Sequence, residues 1–168
     1  PQLRELGPGV RRPGTSYIFG YSFAIDTGPA YYIPMRHLGG DNVECEATAW
    51  RYLEDQAAHF TGEIVGQNLS YDLDWLAEPS RDKPKIIFRR AKKIRDVMVA
   101  AALIYELHDR YNLNAIATRY GLPCKREDEL KAAAETFGVD PKSGLWRLPG
   151  RFVGRYGEGD AHLPLRVL

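Results

Sequence analysis

At 168 residues the chain has room for one domain with a sizeable core, because single domains run roughly 100 to 200 residues. A composition of 44% hydrophobic and 27% charged residues is that of a folded, water-compatible protein, and no apolar run approaches the ~18 residues a membrane-crossing helix needs. The net charge of +1 predicts neither a polyanion nor a polycation as partner; only the distribution of charge can do that.

Residues 1–16 carry the breakers Gly7-Pro8-Gly9 and Arg12-Pro13-Gly14 without apolar periodicity and are expected to form a loop. The opening Pro1-Gln2-Leu3-Arg4-Glu5 has neither an initiator Met nor the features of a signal peptide, so the chain is expected to be an excised piece. The aromatic and β-branched run of residues 17–25, the turn Asp26-Thr27-Gly28-Pro29 and the run of residues 30–34 predict a β-hairpin. From Glu44 to His59, Ala47, Trp50, Leu53 and Ala57, with Phe60 just beyond, recur at helical spacing and predict an amphipathic helix.

Glu63-Ile64-Val65-Gly66 is a short apolar run, and beyond Gln67-Asn68 the residues Leu69, Leu73 and Leu76 recur every three to four positions; a strand, a turn and a helix are expected. Residues 81–95 then hold eight cations (Arg81, Lys83, Lys85, Arg89, Arg90, Lys92, Lys93, Arg95) and one acid, Asp82, around Ile86-Ile87-Phe88. This segment is either a solvated basic loop or a track for a phosphate backbone. Helices are predicted over residues 97–107, 113–120 and 127–137. A last helix over residues 152–168 is expected to be broken or kinked by Gly154, Gly157, Gly159 and Pro164. Cys45 and Cys124 lack the spacing of a metal site or a disulfide framework, which points to a reducing compartment.

Strands early, a strand-helix unit in the middle and helices late describe an α/β layered domain. In such folds ligands gather where strands hand over to helices, the place held by Asn68-Leu69-Ser70-Tyr71-Asp72. A carboxylate there suits a hard cation such as Mg²⁺, although an acid in a first helical turn also answers the helix dipole. Tyr156 and Asp160 stand four apart in Tyr156-Gly157-Glu158-Gly159-Asp160 and share one face of a helix.

Taken together, Val65-Gly66-Gln67-Asn68-Leu69-Ser70-Tyr71-Asp72 and Tyr156-Gly157-Glu158-Gly159-Asp160-Ala161 resemble the second and third motifs of the 3′-5′ proofreading exonuclease domain of family A (DNA polymerase I-like) DNA polymerases. Phe23-Ala24-Ile25-Asp26 with Ala30-Tyr31-Tyr32-Ile33-Pro34 resembles that family's hairpin, and Ile94-Arg95-Asp96-Val97-Met98 is similar to its segment between the motifs. The resemblance runs from Tyr17 to Leu168.

The resemblance implies an RNase H-like exonuclease fold with a mixed central sheet and flanking helices, the whole of residues 1–168 forming one exonuclease domain. It implies the four-acid, tyrosine-containing (DEDDy) class: Asp72 and Asp160 as ligands of two divalent cations, Mg²⁺ or Mn²⁺, and Tyr156 orienting the attacking water. Asn68 would contact the 3′-terminal nucleotide, and Tyr71 would either stack on a base or pack at the sheet edge. Asp96 would serve a structural or supporting role, while Asp74 and His162 would take no part. The implied partners are a single-stranded DNA 3′ end and a polymerase domain C-terminal in the parent chain, without a membrane, in the cytoplasm of a bacterial or phage-infected cell.

The family's Asp-x-Glu pair belongs on a strand ahead of the hairpin, and no such pair precedes Tyr17. Glu44-Cys45-Glu46 and Glu127-Asp128-Glu129 have the spacing but fall in predicted helices. The first strand is therefore expected to be missing from this chain, and its activity impaired. Two other readings stay open: a catalytically degenerate nucleic-acid-binding module of the same fold, and an RNase D-like RNA exonuclease.

Overall fold

A computed structural model describes residues 17–26, 28–80, 83–124 and 127–168; the loop expected over residues 1–16 lies outside them. Strands β1 (Gly20–Ala24) and β2 (Ala30–Pro34) form the antiparallel hairpin, with Tyr21 opposite Ile33 and Ser22 opposite Tyr32. Asp26 enters the turn at φ 49°, a left-handed conformation that Asp tolerates better than most residues. Helix α1 (Glu46–His59) follows, then strand β3 (Glu63–Gly66), helix α2 (Leu69–Ala77) and strand β4 (Lys93–Asp96). Helices α3 (Val97–Ile104), α4 (Leu113–Arg119), α5 (Glu127–Thr136) and α6 (Gly150–Val167) complete the chain, with a 3₁₀ turn at Leu145–Arg147.

The hairpin is a filling between two helical layers. Period-two alternation sends Tyr21 and Ile33 to one face, where they pack with Met35, Trp50, Ala57 and Ile86, and sends Tyr32 to the other, against Leu148, Val153 and Leu130. Trp50 and Ala57 are buried on α1, whereas Ala47, expected on the same face, is exposed. Ala47 sits in the first turn, before α1 reaches the hairpin, so its small side chain has nothing to cover.

The α/β class expected is found, and among the described residues the strands make two separate two-stranded sheets, β1-β2 and the parallel pair β3-β4, where one central mixed sheet was expected. Strand β4 itself was invisible in the sequence, because its Lys93-Ile94-Arg95-Asp96 reads as part of a charged run; Glu63 across the pair, 2.6 Å from Arg95, supplies the counter-charge. The last helix is also unbroken. Two of its glycines are where other elements come close: a Cβ on Gly157 would sit 3.0 Å from the Tyr32 ring, and one on Gly150 2.6 Å from Pro34, whereas Gly154 and Gly159 face no such approach. The propensity lost at Gly157 and Gly150 is offset by tight packing against the hairpin. Pro164 is tolerated one turn from the end, buried with Leu163. Helix α3 stops at Ile104, short of the expected Leu107.

Helix α6 packs against β1, β2 and β3 and against α4 and α5. Its first half lies on the hairpin, and its second half, through Leu163 and Val167, joins Val65 of β3, Val97, Leu113 and Ala117. It thereby fixes the third motif relative to the second.

Candidate active site

Strand β3 ends at the buried Gly66, whose missing Cβ makes room for Leu69, since a Cβ would stand 2.6 Å from that side chain. The chain then turns through Asn68 at φ 56°, ψ 43°, a left-handed conformation in which Asn is among the few acceptable L-residues. The Asn68 side chain makes no capping hydrogen bond and the residue is exposed.

The cap is supplied from elsewhere. Asp96, at the end of β4, accepts hydrogen bonds from Asn68 N at 3.0 Å, Leu69 N at 2.8 Å and Met98 N at 2.9 Å. One carboxylate therefore terminates two helices, α2 and α3, and ties the turn after β3 to its partner strand. Three charge-assisted bonds to backbone amides commit it to structure. The supporting role expected for Asp96 has this form, and an Asp placed between a strand and an apolar helix is itself a sequence sign of an N-cap.

One turn into α2, Asp72 meets the third motif. Desolvation first, then the neighbouring Asp160 carboxylate, then that of Asp96, push the Asp72 carboxyl up to about 6. The residue keeps a solvent-facing surface, so the carboxylate stands in an open but crowded place. Asp160, on α6, is half-buried, with its Oδ1 enclosed by the protein. Two acids 88 positions apart, on α2 and α6, thus come near enough for the charge of one to be felt by the other.

Tyr156 lies one turn before Asp160, its ring half-buried against the cluster of Leu130, Ala134, Leu148 and Val153. Tyr71 is exposed, its ring edge-on to Trp75 with centroids 6.3 Å apart. Asp74 is exposed, as expected. His162 lines, with Gly28, Pro29, Ala30, Glu158 and Gly159, an open cleft of about 270 Å³ between the hairpin turn and α6. That cleft had no signal in the sequence, because the hairpin turn and α6 are joined only by folding.

Among the described residues no cluster of three or more His, Cys, Asp or Glu side chains is arranged to hold a metal ion. Asp72 and Asp160 are a pair, and Asp96 is spent on amides. Such a pair does not fit a cation caged by protein alone. It fits Mg²⁺ or Mn²⁺ completed by water and substrate phosphate, which is how Mg²⁺ is commonly held, and the like-charge crowding that raises Asp72 is what such a cation would relieve.

The chain matches no known family profile. Over its 168 residues it is 50% identical to a protein of Pseudomonas phage M6 named DNA-directed DNA polymerase, and it spans 24% of the length of that relative. No helix among the described residues is long and apolar enough to cross a membrane.

Replacing Asp96 by Asn puts an NH2 in place of one of the two accepting oxygens, so that at least one of the three backbone donors loses its acceptor; stability in chemical denaturation is expected to fall by about 2 kcal/mol, and an unchanged midpoint would refute the double cap. For Asp72 the sign is opposite. A carboxyl whose folded pKa is about 6 against an ordinary 3.8 destabilises the fold progressively as pH rises from about 4 to about 6. In metal-free buffer Asp72→Asn is therefore expected to gain thermal stability over the native chain between pH 4 and 7 and to show no growing advantage below pH 4. A pH-independent difference between the two would contradict the site.

Proposed function

We propose that the chain is the 3′-5′ exonuclease part of a DNA polymerase, removing nucleotides from a single-stranded or mispaired DNA 3′ end by metal-dependent phosphodiester hydrolysis. The observation that carries this reading is the opposition of Asp72 and Asp160, two like charges brought together from separate motifs at the end of a β-strand. Mutual repulsion of this kind is costly in a purely structural role and useful where a cation and a phosphate meet. The phage relative's name supports the polymerase context and favours DNA over RNA as substrate.

On this reading Asp72 and Asp160 hold a divalent cation; when bound, such a cation supplies charge to the scissile phosphate and makes hydroxide accessible near neutral pH. Asp96 keeps Asp72 in place by fixing the first turn of α2. The Tyr156 ring, wedged in its apolar cluster, is a rigid mount from which the hydroxyl orients the attacking water. Asn68, exposed on its left-handed turn, contacts the terminal nucleotide, and Tyr71 offers an aromatic face to an unpaired base.

The fold reading is RNase H-like. The edge of β1 away from β2 and the edge of β3 away from β4 carry no strand among the described residues, and α6 spans both sheets. A strand between β1 and β3 would join them into one five-stranded mixed sheet and would bring an Asp-x-Glu pair beside Asp72 and Asp160. In the chain by itself half of the four-acid set is present, and turnover is accordingly low, because acids of one metal cluster act as a unit.

The test is a primer-degradation assay with Mg²⁺ or Mn²⁺ on the polypeptide that includes the flanking polymerase sequence. Asp72→Ala and Asp160→Ala are each expected to lower 3′ trimming at least ~100-fold, on the scale of losing a group essential to electrostatic catalysis, with primer extension intact. Trimming that survives both changes would refute the assignment. A folded protein that binds 3′ ends without trimming them would favour the degenerate DNA-holding module.

A further inference from the structure

The described part of the segment after α2, residues 83–92, is anchored to the core. Lys83 is buried and its ammonium donates to the carbonyls of Leu76 and Pro84, 5.8 Å from the Trp50 ring centre. Ile86 is 2% exposed and its amide donates to Leu76 O. Phe88 meets Phe60 edge-on, and Lys92 N donates to Gly62 O. The apolar residues thus pin the segment to α1, α2 and β3, and four cations are left facing outward: Lys85, Arg89, Arg90 and Lys92, all exposed.

Their surroundings offer little to neutralise them. Glu63 is engaged by Arg95 at 2.6 Å and by Lys93 at 3.9 Å, and the four form no ion pair among the described residues. Residues 81–95 carry a net +7 in a chain whose total is +1, so the remainder carries −6. Lys92 feels the charge of Glu63 without pairing with it, and a fixed cluster of cations without ion pairs in an otherwise acidic chain attracts a polyanion and self-repels without one.

Position gives the direction. Asp96, beside the acid pair, ends β4, and Lys92 precedes its start. Four residue steps separate them, roughly 13 Å at ~3.3 Å per residue. A stacked DNA strand advances about 3.4 Å per nucleotide, so one with its 3′ end at the acids reaches Lys92 after roughly four nucleotides.

We propose that Lys85, Arg89, Arg90 and Lys92 form a second DNA contact, gripping the phosphate backbone of the strand upstream of its 3′-terminal nucleotides. The inference takes its direction from the 3′-end reading of the acid site, whereas the charge cluster stands independently of it.

Binding of fluorescent single-stranded 4-mer and 12-mer DNA to the whole chain, in EDTA over a range of salt, tests it. In the variant K85Q/R89Q/R90Q/K92Q the 12-mer is expected to bind at least ~10-fold more weakly at low salt. Its slope of log affinity against log salt is expected to be about 3 shallower, as four lost single-strand phosphate contacts imply, while the 4-mer changes little. The double variant K85Q/K92Q is expected to lose about half that slope and guards against misfolding of the quadruple variant. A matched change at K142Q/R166Q, exposed cations outside the segment, is expected to leave the slope in place.

An unchanged 12-mer slope in both segment variants, or an equal loss for 4-mer and 12-mer, would overturn the proposal. A native chain that shows the segment-dependent slope, in a polypeptide that never trims DNA, would uphold the second contact and sink the nuclease reading alone.

Discussion

Two short sheets that share no hydrogen bond among the described residues are held in one domain by a helix that packs on both. Helix α6 lies on the hairpin through its glycine-lightened first half and on β3, α3 and α4 through Leu163 and Val167. Because Gly157 lets the helix come down onto Tyr32, the next turn delivers Asp160 to Asp72. Gly157, which weakens α6 as a helix, is therefore what allows it to lie on the hairpin. Local propensity and packing pull against each other here, and the packing of an 18-residue helix against two sheets wins.

The acid pair depends on a second, smaller device. The turn after β3 leaves its strand through a left-handed Asn68, leaving the first amides of α2 in need of acceptors. Asp96 reaches across from the neighbouring parallel strand and takes two of them, along with the amide of Met98. Both strands of the β3-β4 pair and both of the helices that follow them are joined at this carboxylate. The result is a rigid first turn carrying Asp72, opposed by a rigid third turn of α6 carrying Asp160.

Much of this was legible in the sequence. The hairpin, β3, α2 and the helix-spaced Tyr156 and Asp160 were readable because alternation, turn residues and spacing all agreed at those positions. The approach of Asp72 to Asp160 could be expected only from the resemblance of the motifs, since nothing local links positions so far apart. Strand β4 was hidden by its charges, which are balanced by Glu63 on the other strand and not by neighbours in sequence. The continuity of α6 was hidden because glycine reads as a breaker until its packing partner is known. Ala47 shows the reverse error: a periodic pattern extended one residue beyond the surface that the helix covers.

The central claim is that Asp72 and Asp160 form one cation-binding pair. Titration of the chain with Mn²⁺, followed by the loss of the free-ion electron paramagnetic resonance signal, addresses it most directly. Saturable binding to the native chain that is weakened in Asp72→Asn and in Asp160→Asn alike, and strengthened by a short 3′-ended oligonucleotide, is the predicted result. Equal Mn²⁺ binding by the native chain and both variants would contradict it.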